Sequence, residues 1–123
     1  MLRACRRLLR PGRRLAFFTI FVAPDLPAAP RRRAVATGPP FPHGSDLSGL
    51  LSRAGFAGVA ASDLTSEYLD TTRAWQAAHE RYADELRQAS PTDFDDRIAE
   101  GRRAITAIEQ GLLRRTLFVA TRP

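Results

Sequence analysis

Lysine and asparagine are absent from these 123 residues, and cysteine, methionine and tryptophan each occur once. With Cys5 alone, no intramolecular disulfide can form. Two isolated histidines and one cysteine make no zinc set either. A disulfide-stapled extracellular scaffold is excluded, and a reducing cytoplasm is the expected setting. Long hydrophobic runs are also missing: the longest, residues 15–23, spans nine residues, whereas a membrane-crossing helix needs about 20. No membrane partner is expected.

What is abundant is arginine, which supplies all 19 basic charges. Arginine without lysine, in an alanine-rich chain, is what GC-rich codon usage imposes, so the net charge of +6 says little about partners. Its distribution says more. Residues 1–33 carry nine Arg against one acid, Asp25, and residues 34–123 carry ten Arg against twelve acids. An Arg-rich leader before an apolar run is one pattern of a targeting segment. Pro11-Gly12 interrupt it, however, the apolar run is short, and no small-x-small cleavage site precedes Pro24.

Leu2, Cys5, Leu8 and Leu9 recur at helical spacing with Arg between them, and Pro11-Gly12 end that helix. Residues 15–23 are aromatic, β-branched and almost wholly apolar, which predicts a strand buried on both faces. Six prolines fall within residues 24–46, around the triplet Arg31, Arg32 and Arg33. That density predicts a long surface loop, with room for a short helical turn over residues 30–36. Ser45 or Asp46 can cap a short helix through Leu47, Leu50 and Leu51, closed by Gly55, and a strand is expected over residues 57–63.

Residues 64–112 show two helical patterns. Leu64, Tyr68, Thr72, Trp75, His79, Tyr82 and Leu86 share one face. The second pattern opens with Ser90 as cap and Pro91 at the first helical position, then repeats through Phe94, Ile98, Ile105, Ile108 and Leu112, with Gly111 as a natural stop. Residues 113–123 suit a terminal buried strand.

Taken in order, the helix with its Leu9-Arg10-Pro11-Gly12 turn and following strand, the Leu51-x-x-Ala54-Gly55-Phe56 entry into a second strand, and the final strand resemble the C-terminal half of class I S-adenosylmethionine-dependent methyltransferases. The resemblance implies an α/β fold, the C-terminal part of a Rossmann-like domain, with a three-stranded mixed sheet in the order fifth, seventh, sixth. Flanking helices cover it, and a helical pair precedes the last strand. The whole of 1–123 then reads as one partial domain: 1–23 helix, turn and strand; 24–46 loop; 47–63 helix and strand; 64–112 helical pair; 113–123 terminal strand. One departure stands out. The family's second turn glycine is Arg13 here, which would be strained if that position required positive φ.

The resemblance also implies what lies elsewhere. In such enzymes S-adenosylmethionine sits at the carboxyl ends of the first strands, on a Gly-rich turn and an acid that binds ribose hydroxyls. The eight glycines here form no G-x-G-x-G arrangement. Residue 1 would fall past the middle of such a domain, and no cofactor is expected to bind this chain alone. No residue is expected to be catalytic or to bind cofactor or metal. The region between the sixth and seventh strands often shapes the acceptor site, which makes Tyr68, Trp75 and His79 candidate pocket residues, with Thr19 near the end of the first strand. Core packing is the competing reading of that aromatic stripe.

The function this implies is half of a methyltransferase for a small-molecule acceptor, inactive by itself. The alternative is a non-catalytic, Arg-rich interaction module. Nucleic acid is not expected as a partner. The edge of residues 15–23 that would have met the fourth strand is expected to be unpaired and to promote self-association or completion of a partner's sheet.

Overall fold

The computed structural model describes residues 1–37 and 46–123. Along the chain the elements are helix α1 (Leu2–Leu8), strand β1 (Arg14–Val22), helices α2 (Ala28–Thr37) and α3 (Leu47–Arg53), strand β2 (Ala57–Asp63), helices α4 (Thr65–Arg81), α5 (Ala83–Ala89) and α6 (Phe94–Glu109), and strand β3 (Leu113–Thr121). Pro39, Pro40, Pro42 and the candidate cap Ser45 lie outside the described residues.

The strands order as β1-β3-β2, with β3 antiparallel to both neighbours. Two like-directed strands thus flank one reversed strand, as the resemblance to a fifth-seventh-sixth arrangement implied. Each adjacent pair is antiparallel. Two of the three helix-to-strand entries use the same device. At the end of α3, Phe56 N–H bonds Leu51 C=O and Gly55 N–H bonds Ser52 C=O, while at the end of α6 Leu112 N–H bonds Ala107 C=O and Gly111 N–H bonds Ile108 C=O. These are Schellman motifs, in which glycine takes the left-handed position, here at φ +88° and +71°, and the next apolar residue turns inward. Phe56 and Leu112 are accordingly buried.

Two cores lie on opposite faces of the sheet. Leu51, Phe56, Phe118 and Ala120 form one, joined by Leu2 of α1, by Leu9 just after it and by Leu15 and Phe17 of β1. The Phe17 and Phe118 rings stack across the β1–β3 pair. Val22, Ala34, Ala107, Ile108, Leu112 and Leu113 form the other, with Tyr68 and Leu69 packed against it. Between α4 and α6 the buried Gln76 donates from Nε2 to Glu80 Oε1 and to Ile98 C=O. Gly101 leaves the space its Oε1 occupies, since a Cβ there would sit 2.1 Å away.

Several expectations are corrected. Residues 28–37 form a full helix rather than loop. Pro27 supplies the first accepting carbonyl, to Arg31 N–H, and Pro30 falls in the first turn, where an amide has no intrahelical partner to lose. The Arg triplet therefore rides on α2. Strand β1 is not buried on both faces: Ala16 and Phe18 are exposed, Phe18 by 54%, because the second core reaches only the Val22 end of the strand. The long helical pattern over residues 64–86 breaks at Tyr82 without glycine or proline. Beyond it α5 meets the start of α6, with Arg87 paired to Asp95 and stacked over Phe94.

Helix α6 starts three residues later than Pro91, at Phe94 with Asp93 as N-cap, since the intervening residues are spent reversing the chain between α5 and α6. The Pro-Gly turn needs positive φ only at Gly12, and Asp25 is the one non-glycine residue with positive φ among the described residues. Arg13 is unstrained.

Candidate functional site

The carboxyl end of β1, the start of β3 and the first turn of α4 meet on the face that carries Phe18. Register decides which side chains can meet there. Phe17 pairs with Phe118 and Ile20 with Arg115, and side chains alternate between faces. Arg115 therefore projects with Phe18 and Ile20, away from Phe17. Its backbone is fixed from α4: Arg115 N–H donates to Thr65 Oγ1 at 3.2 Å, and its carbonyl accepts from Leu64 N–H at 2.8 Å. The Arg115 guanidinium carbon lies 4.2 Å from the centre of the Phe18 ring and 5.6 Å from that of Tyr68.

Burial pushes the Tyr68 phenol above its ordinary pKa, while the nearby Arg115 charge pulls the other way. Asp63, at the carboxyl end of β2, accepts from Thr65 Oγ1 at 2.5 Å and from Thr65 N–H at 3.0 Å. Those two bonds, with Arg114 3.6 Å away, hold its carboxyl below the ordinary aspartate value. Asp25 follows β1 in the left-handed region, φ 60°, a conformation aspartate tolerates better than most residues.

The sequence-expected pocket residues are distributed over three places. Thr19 lies opposite Thr116 and shares the face of Phe17, behind the sheet as seen from Tyr68. Tyr68 is half-buried beside Arg115. Trp75 is 64% exposed, and His79, three turns along α4 from Tyr68, stacks on it at 5.6 Å with Nδ1 2.7 Å from the Trp75 carbonyl. At about 100° per residue Gln76 lies about 80° round the helix from Tyr68 and Trp75 about 20° the other way, so Trp75 falls outside the buried stripe that Tyr68, Thr72 and Gln76 follow. Sequence reasoning passed over Arg115. The signal in the sequence was the Arg114-Arg115 pair at the start of the terminal strand. A separate open groove of about 460 Å³ between α2 and α6 is lined by Arg33, Arg102, Arg103, Thr106 and Gln110, and Arg102 there is paired to Glu80 at 2.8 Å.

Among the described residues no helix is long and apolar enough to cross a membrane, and no group of acidic, His or Cys side chains is placed to hold a metal. No protein-family model matches the chain, and no curated protein matches it in sequence. The fold does match solved structures: it is the methyltransferase-like α/β fold, matched over part of those chains. In particular, the chain is similar to phosphoethanolamine N-methyltransferase 2 of Haemonchus contortus, solved with phosphomonomethylethanolamine and S-adenosylhomocysteine, with TM-score 0.82, 13% identity, and coverage of 99% of this chain and 29% of that one. It is also similar to the cyclopropane synthase MmaA2 of Mycobacterium tuberculosis, with TM-score 0.78, 15% identity, and coverage of 98% and 48%. The chain thus spans less than half the length of these proteins.

Among the described residues, the glycines that enter the second and third strands form no turn suited to S-adenosylmethionine. Gly55 precedes β2 and packs on Arg6, Gly58 lies within β2 beside Thr121, and Gly111 precedes β3. None of these glycines opens a helix after a parallel strand, the geometry that lets backbone amides approach such a ligand.

Proposed function

We propose that these residues are the C-terminal half of a class I methyltransferase that acts on a small-molecule acceptor, with S-adenosylmethionine held by a first half lying outside these 123 residues. The observation that carries the reading is the β1-β3-β2 order, with the reversed strand inserted between two like-directed ones. The packing of α1 supports it as well. Leu2 and Leu9 sit against the core, and Arg6 Nε donates to Gly55 C=O at 2.9 Å, so the Arg-rich N-terminus is engaged in the fold instead of being a free docking arm.

Within this reading the chain's part is to close the acceptor side of the sheet and to position the acceptor. Tyr68 is the candidate for contact on that face, Trp75 and His79 are candidates farther along α4, and Thr19 is a candidate only for an acceptor that reaches the opposite face of the sheet. Alone, the chain transfers no methyl group.

The test is to sequence the native locus upstream of codon 1, express the chain joined to what precedes it, and measure transfer of a labelled methyl group from S-adenosylmethionine. A preceding strand, Gly-rich turn and second strand ending in an acid, together with turnover absent from residues 1–123 alone, is the expected result. An upstream region encoding none of these would overturn the reading.

A further inference from the structure

We infer that Arg115, held between Phe18 and Tyr68, is a binding residue for an oxyanion, a carboxylate or phosphate group carried by the acceptor. The acceptor's part in this rests on the methyltransferase reading, whereas the anion site rests on geometry alone.

Arg115 is half-buried on a sheet, where an arginine is ordinarily neutralised. Among the described residues it has no carboxylate within 4 Å, and its guanidinium donates no hydrogen bond to the protein, in contrast to Arg73, Arg87, Arg102 and Arg114, which are all paired. Two aromatic rings take the place of a counter-ion. Cation–π contact stabilises the charge from the ring faces and leaves the in-plane N–H fork free. A stacked, planar fork with fixed orientation is suited to bidentate recognition of carboxylate or phosphate. The backbone clamp from Thr65 and Leu64 holds the residue in register, so little ordering is needed on binding. The fork also lies near the carboxyl end of β1, the end of a strand where α/β folds gather ligands.

The full chain is titrated with inorganic phosphate and with acetate at ionic strength held constant by chloride, following the backbone amide signals of Phe18, Tyr68 and Arg115 by NMR. Saturable shifts with either anion, and affinity reduced about tenfold or more in Arg115→Met, which removes the charged fork, are expected. Response to phosphate alone assigns a phosphorylated acceptor, and response to acetate alone a carboxylated one. Shifts no different from those with chloride, or unchanged affinity in Arg115→Met, would overturn the site. Should that variant lose its folded spectrum, Arg115→Lys decides: it keeps the charge but not the fork, and equal affinity there overturns the assignment. Methyl transfer is not read at any point, so failure here leaves the methyltransferase reading to its own assay.

Discussion

Single residues set the chain's direction at the ends of helices. Gly55 stands at φ +88°, and a Cβ there would lie 2.8 Å from Arg6 Nε, the group that bonds the Gly55 carbonyl. Gly55→Ala is therefore expected to cost about 1–2 kcal/mol for the left-handed backbone alone, seen as a lower midpoint in urea. Gly49 is constrained differently: its amide donates to the capping Asp46 Oδ1 at 2.7 Å, and a Cβ would fall 1.8 Å from Asp46 Oδ2. Gly49→Ala should displace that cap at a cost of about 1 kcal/mol. Asp63 makes the fold sensitive to acid. Its pKa is lowered by the Thr65 bonds and by Arg114, so the stability it supplies is complete above the ordinary aspartate range, about pH 4, and is lost as pH falls through its lowered value. The stability gap between the wild-type chain and Asp63→Asn should accordingly shrink in denaturation curves taken at progressively lower pH across that range.

At the scale of elements, the outer edge of β1 has the largest consequence. Arg122 N–H bonds Arg13 C=O, and Ala23 N–H bonds Leu112 C=O. The antiparallel register between these two pairs then directs the backbone groups of Leu15, Phe17, Thr19 and Phe21 toward β3 and those of Ala16, Phe18, Ile20 and Val22 outward. Proline at an outward position deletes no ladder bond, while proline at an inward one does. Ala16→Pro is expected to suppress self-association by sedimentation with little change in thermal midpoint. Phe17→Pro should destabilise the fold by about 1–3 kcal/mol or more. If Ala16→Pro were to self-associate as before, sheet-edge pairing would not be its cause. Helix α2 shows why this scale is harder to read from sequence. Proline density argues against helix in a list of residues, but Pro27 and Pro30 fall where a helix has no amide to lose, and Ala34 is fully buried against its neighbours.

For the molecule as a whole, one sheet is asked to support two cores of unequal reach. The core around Phe118 reaches Leu15 and Phe17 of β1 and joins them to α1 and α3, whereas the core around Leu113 reaches β1 only at Val22, leaving Phe18 exposed beside an unpaired edge. We expect the isolated chain to self-associate as concentration rises, and a covalently supplied neighbouring strand to abolish that association in sedimentation experiments. The sequence by itself determined the strands, their likeness to a methyltransferase half, the glycine-terminated helix ends and the absence of a Gly-rich cofactor turn, because these depend on local backbone chemistry and on the order of motifs. Only the tertiary structure decided that β1 has an exposed face, that Trp75 turns outward while Thr19 lies behind the sheet, and that Arg115 rests between Phe18 and Tyr68. Phe18, Tyr68 and Arg115 are far apart in the chain, and only strand register and helix packing bring them into contact.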